Sequence, residues 1–222
     1  MLLSMYTSSL LAETRVQLTR DLPKLDIIYN NSVVTIQREQ NPEHILNGTF
    51  AMTSRPCPPA CISAIQPVAG IKIVGELELF KFLEDEYLNE SGLLIDARSA
   101  DWFKRGTIPG SINLPFNRFD SNNTADETEN LLALIDANER YDVGRVTRFL
   151  EKRGFMEGDK KTDTHDFTYA KKLIVWDNGP WSESAAKVIA AFVRTGYPVE
   201  YIHYYHGGMQ SWQTLGLTIV KP

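Results

Sequence analysis

The 222-residue chain is poor in cysteine and histidine, with two cysteines, Cys57 and Cys61, and four histidines. Two cysteines cannot supply a disulfide framework, so the fold must rest on a hydrophobic core. No run of eighteen or more apolar residues occurs, which excludes a transmembrane helix. Cationic stripes are also missing: 23 Lys plus Arg face 28 Asp plus Glu, a net charge of -5. Nucleic-acid binders draw most of their affinity from cations that neutralise phosphates, so no nucleic-acid partner is expected. What the chain does have is 43% hydrophobic residues. A compact chain of this size buries roughly 70% of its unfolded surface, which excludes disorder of the whole.

From about residue 70 onward, short β-type runs alternate with helix-type runs, the pattern of crossover helices covering a parallel sheet. Strands are expected at Ile71–Val74, Leu93–Asp96, Ile112–Pro115, Lys172–Trp176 and Glu200–Tyr204. Helices are expected at Glu76–Tyr87, with Leu77, Phe80, Leu83 and Leu88 on its apolar face, at Ser99–Arg105, at Ser182–Thr195 and at Met209–Leu215. Before residue 70 the pattern differs. Leu25–Tyr29 and Val33–Gln37 flank Asn30, Asn31 and Ser32, a turn composition that predicts a β-hairpin. In Arg55-Pro-Cys-Pro-Pro-Ala-Cys61, three prolines fix φ and remove backbone donors, so a rigid extended loop is expected. The chain is therefore divided into an extension, residues 1–69, and an α/β domain, residues 70–222. Within the domain, residues 117–168 form a long connection, read as an inserted subdomain or a mobile lid. It holds an acidic patch, Asp120–Asn130, helix-type runs at Leu131–Asn138 and Val143–Arg153, and the polar stretch Gly158–Asp166.

Chemistry is expected where Lys172–Trp176 runs into Asp177-Asn-Gly-Pro-Trp-Ser-Glu-Ser184 and then a helix. At the carboxyl end of a central α/β strand, free amides and a helix N-terminus converge, making an anion cradle. Two further motifs accompany this loop. Leu94-Ile-Asp-Ala-Arg98, Trp102 and Gly106-Thr-Ile-Pro-Gly-Ser-Ile-Asn-Leu-Pro115 are similar to the pattern D-x-R … G-H-I-P-G-A-x-N-x-P, with Thr107 at the histidine. Tyr205-His-Gly-Gly-Met-Gln-Ser-Trp212 with Leu215-Gly-Leu217 is similar to G-G-x-x-x-W … G-L-P. In this order the three segments resemble the rhodanese-like family, the sulfurtransferase homology domain, over about residues 71 to 220.

The resemblance implies an α/β fold with a central parallel sheet flanked by helices, and Asp96 and Arg98 bracing the sheet end beside the loop. It also implies where activity would reside. In active members the first loop residue is a cysteine, whose thiolate takes up a sulfane sulfur as a persulfide. Here that position is Asp177. A carboxylate cannot hold a sulfane sulfur reversibly, and with a reference pKa of about 3.9 it would be ionised in an exposed loop and repel anionic donors. Where many members carry an arginine before the final serine, Glu183 precedes Ser184. The loop is similar to that of a bacterial subgroup reading C-N-G-P-W-C, with Asp177 and Ser182 replacing both cysteines. A degenerate site is expected, its pocket lined by Asp177, Asn178, Gly179, Pro180, Trp181, Ser182, Glu183 and Ser184, with Trp181 as an apolar contact. Asp177 would accept amides of its own loop, as an Asx-turn or helix cap does. A cation held by Asp177, Glu183 and Asp96 is the lesser alternative.

The same subgroup carries an R-P-C-P-P-x-C segment. Cys57 and Cys61 are read as an ordinary buried pair or a small structural disulfide clamping the extension onto the domain, with sulfur or redox chemistry as the rival. Two cysteines do not complete a metal site, and His44, His165, His203 and His206 show no ligand spacing. His206, beside Gly207, is read as a satisfied surface imidazole, with a place in the lining of the loop pocket as the alternative. No metal or cofactor is expected. The expected partner is a protein or a small anion. Met1 to Ala12 is mildly apolar without a positive leading segment. The location is periplasmic or exported if it is a signal remnant, and cytoplasmic otherwise.

Overall fold

The computed structural model describes residues 16–57, 61–119, 125–141 and 143–222. The expectations for Met1 to Ala12 and for Asp120 at the start of the acidic patch lie outside them. So does the middle of the proline-cysteine segment.

The first elements are β1 (Leu25–Tyr29) and β2 (Ser32–Ile36), an antiparallel hairpin in which Tyr29 pairs with Ser32. Asn30 and Asn31 have φ of 48° and 59°, which suits the two-residue turn that matches strand twist. Leu25, Ile27 and Ile36 are buried, while Ile28 and Val33 face outward, the alternation of a half-covered sheet.

Next come β3 (Lys72–Ile73), α1 (Glu76–Phe82), β4 (Gly92–Asp96), α2 (Ala100–Arg105) and β5 (Ser111–Asn113). The connection contributes α3 (Ala125–Leu134), β6 (Asn138–Glu139), α4 (Arg145–Glu151) and β7 (His165–Asp166). The chain ends with β8 (Lys172–Trp176), α5 (Ser184–Arg194), β9 (Ile202–Tyr205) and α6 (Gly208–Thr214). Five strands form one parallel sheet in the order β3-β9-β8-β4-β5, with β8 at its centre. Alternation along β8 divides the core. Leu173 and Val175 point to one layer with Val188, Ile189 and Phe192 of α5; Ile174 and Trp176 point to the other with α1, α6 and the hairpin.

Some expectations are corrected. α1 ends at Phe82 and continues as a π-helical turn, Leu83–Tyr87. Its buried face is Leu79, Phe80, Phe82 and Leu83, while Leu77 and Leu88 are exposed. The buried stripe centres on Leu79 and Leu83, which leaves Leu77 on the far side; Leu88 lies in the turn that follows the π segment. Part of the acidic patch is helical, because α3 begins at Ala125 rather than Leu131, and its end at Leu134 frees Asn138 for β6. The connection is no free lid: Leu131, Leu132, Ile135 and Phe167 are buried in the same layer as α5. β6 and β7 pair antiparallel, and Arg140 joins Glu151 at 2.6 Å with both side chains largely covered. Among the described residues no helix is long and apolar enough to cross a membrane.

Candidate functional site

The β8–α5 loop lies at the carboxyl end of the sheet, flanked by the ends of β4 and β9. Asp177 follows Trp176 and is fully buried, against the expectation of an exposed, ionised side chain. Its Oδ1 accepts the Gly179 amide at 3.0 Å, and Oδ2 accepts the Ala185 amide at 2.9 Å. Ala185 lies in the first turn of α5, so the carboxylate bridges the loop and the helix N-terminus. Burial pushes the Asp177 carboxyl up from its ordinary value. The Ala185 and Gly179 amides and the Ser182 hydroxyl pull it back, and the charge of Asp96 adds to the rise.

The carbonyls of this loop are also engaged. Asp177 O accepts the Met209 amide at 2.9 Å and Asn178 O accepts that of Gln210 at 3.1 Å, so two amides at the start of α6 end on the loop. This close approach is why Gly208 is glycine: a Cβ there would lie 2.3 Å from Asp177 O, and φ is +52°. Ser182 is buried and Glu183 is exposed at the start of α5. Asn178 is buried, and its Oδ1 makes no hydrogen bond. His206, beyond β9, is half-buried, edge-on to Tyr204 at 5.4 Å, with a buried Nε2 that also makes none. It is therefore not the satisfied surface imidazole expected. Burial lowers its pKa.

At the end of β4, Asp96 and Arg98 are both buried. Arg98 Nε donates to Asp96 Oδ1 at 2.9 Å and a terminal nitrogen donates to Oδ2 at 2.6 Å, a bidentate pair. The Arg98 amide donates to Oδ1 at 3.0 Å, and Thr107 Oγ1 donates to Oδ2 at 2.9 Å. Arg98 also reaches the Gly106 carbonyl at 2.7 Å and lies 4.7 Å from the Trp176 ring centroid. Asp96 is thereby committed to Arg98 and Thr107, and does not join Asp177 and Glu183. Among the described residues no group of three His, Cys, Asp or Glu is placed to hold a metal ion.

Cys57 and Cys61 form a disulfide with Cα atoms 4.8 Å apart. Both belong to the extension, so the bond does not clamp it to the domain. The anchoring comes from neighbours that the sequence did not single out. Arg55 lies 3.8 Å above the Trp181 ring, and Phe50 approaches the same ring at 6.2 Å. Ser63 donates from both N–H and Oγ to the Pro180 carbonyl, the latter at 3.0 Å. The Gln210 side chain donates to the Phe50 carbonyl and lies 3.4 Å from Trp181 Nε1. Trp181, expected to be an apolar contact in an open pocket, is half-buried under the extension. Arg55, Phe50 and Ser63 carry no spacing signal, because they reach the loop through the tertiary fold.

A family model for the rhodanese-like domain matches residues 81–215, well over half of the chain. No curated protein matches. Similar solved structures include a Bacillus halodurans protein, 17% identical over 67% of this chain and 76% of its own, with a TM-score of 0.41. The human single-domain sulfurtransferase TSTD1 is 20% identical over 65% of this chain and 97% of its own, with a TM-score of 0.38. The 3-mercaptopyruvate sulfotransferase SseA of Escherichia coli is 22% identical over 62% and 42%, with a TM-score of 0.36. With the matched region spanning α1 to α6 and the loop at the centre of its sheet, the chain belongs to the rhodanese-like domain family.

Proposed function

We propose that this rhodanese-like chain has lost sulfur transfer at the β8–α5 loop and uses that surface as a binding or scaffold module. One observation carries the reading: the Gly179 and Ala185 amides end on the Asp177 carboxylate. In a sulfurtransferase such amides stabilise a thiolate or persulfide; here a group that cannot carry sulfur consumes them. Since a small anion would need the same donors, the reading favours a protein partner over an anion. Reduced and alkylated full-length protein should show no thiosulfate:cyanide sulfurtransferase activity above background. Turnover with both cysteines blocked would overturn the proposal.

A second reading is sulfur or redox chemistry at Cys57 and Cys61. It draws support from the exposure of Cys57 and from the contacts its segment makes with Pro180 and Trp181. Both cysteines are bonded to each other, so this chemistry requires prior reduction. Activity that appears only after reduction and disappears in Cys57→Ser or Cys61→Ser would select it.

A further inference from the structure

The disulfide sits between two anchors on one edge of the loop. On its amino side Arg55 covers the Trp181 ring, held there by a hydrogen bond to the Thr49 carbonyl. On its carboxyl side Ser63 holds the Pro180 carbonyl through two donors. Pro180 and Trp181 are adjacent, so both anchors act on one short stretch of backbone. A bond joining residues four apart contributes little to global stability, because loop-closure entropy is small for short rings. Its effect is local: it fixes the separation of the anchors, so that one docked anchor raises the effective concentration of the other. Cys57 is exposed, and its sulfur is open to attack by an external thiolate.

We propose that the Cys57–Cys61 disulfide is a redox-modification site whose state sets whether the Pro180–Trp181 edge of the β8–α5 loop is covered by the extension. The inference rests on the reading of that loop as the binding surface. The reductant is a dithiol. One of its thiolates attacks Cys57 Sγ; the Cys57–Cys61 bond breaks, and Cys61 leaves as a thiolate that takes up a proton. The second thiol of the reductant then attacks the mixed disulfide and releases Cys57. Two electrons pass to the protein, which ends with two thiols, and the reductant ends as a disulfide. With the ring open, the anchors stay tethered by the chain between them but lose their fixed separation, so each docks less firmly and the Trp181 face is released to a protein partner.

The test uses the full chain in three forms: oxidised, reduced with dithiothreitol, and Cys57→Ser/Cys61→Ser. Acrylamide quenching reads exposure of Trp181, isolated from the other three tryptophans by subtracting the Trp181→Phe variant of each form. Hydrogen exchange reads the Ser63 amide, which donates to Pro180. In the reduced and doubly substituted forms, Trp181 quenching should rise about twofold and Ser63 exchange about tenfold. The Ala185 amide, held by Asp177, should keep its protection. Unchanged Trp181 quenching and Ser63 exchange would overturn the coupling, as would loss of protection spreading into β4 and β8. These readouts are independent of catalysis: sulfur transfer with blocked cysteines would sink the functional reading, whereas an unchanged Trp181 would sink only the redox coupling.

Discussion

Two carboxylates sit at the ends of neighbouring strands, Asp96 on β4 and Asp177 after β8, and both are fully buried. Asp96 faces a cation: Arg98 donates to both of its oxygens and Thr107 adds a hydroxyl. Asp177 faces neutral donors, the Gly179 and Ala185 amides and the first turn of α5. The difference separates a brace from a cradle. A charge balanced by a bidentate guanidinium fixes the chain around it. Asp177 meets only amides and a helix terminus, donors of the kind that favour negative charge but bring no cation of their own.

The contrast predicts unequal costs of disruption. Arg98→Met leaves Asp96 buried without its cation and should cost about 3–5 kcal/mol, the range for breaking one side of a buried ion pair. Urea denaturation of the two proteins measures it; a loss below about 1 kcal/mol would show that water reaches Asp96 in place of Arg98. Asp177→Ala should cost less, about 2 kcal/mol, because two buried amides lose their acceptor while a carboxyl buried without a cation is also removed. Asp177→Cys with Ser182→Cys tests the cradle from the other side. A thiol in that position should react with iodoacetamide more slowly than a free cysteine, since the burial that outweighs the amides at Asp177 also disfavours the thiolate; faster reaction would show that the amides prevail. Thr107→Val removes one of several donors to Asp96 and should cost about 1 kcal/mol. A loss as large as that of Arg98→Met would mean that the hydroxyl, rather than the guanidinium, holds the carboxylate.

The two carboxylates also differ in how far the sequence revealed them. Asp96 and Arg98 were marked as a brace by the resemblance, and the pair itself is local, its members two residues apart at the end of an apolar run. β8 was legible for the same kind of reason: Lys172 to Trp176 is an apolar run with strand propensity, and its observed bounds coincide with the expected ones. The hairpin followed from Asn30 and Asn31, whose side chains tolerate positive φ. The burial of Asp177 could not be read, since it depends on the Ala185 amide eight positions on and on the fit of α6 against the loop at Gly208. The cover over Trp181 was hidden more deeply. Arg55 and Ser63 reach the loop from far away in the chain, and no periodicity encodes that approach. The start of α3 was missed because Ala125 to Asn130 is a polar run without apolar periodicity, which reads as a loop.

The smallest effect is the most discriminating for Asp177, because its sign separates the two environments that the residue feels. Burial raises the carboxyl and the amides lower it, and burial prevails. Between an unfolded pKa of about 3.9 and the raised folded value, the native state holds a proton that the unfolded state has released. Stability therefore falls as pH rises through that window: the contribution of Asp177 is fully present below the unfolded pKa and is lost above the folded one. Subtracting the stability of Asp177→Ala from that of the unsubstituted protein at each pH isolates this residue, and the difference should decline from acid toward neutral pH. A difference that climbs instead would mean that the Gly179 and Ala185 amides hold the carboxylate more strongly than burial opposes it. In that case the loop retains its full preference for a charged occupant, and the proposed loss of sulfur chemistry rests on the missing thiol alone.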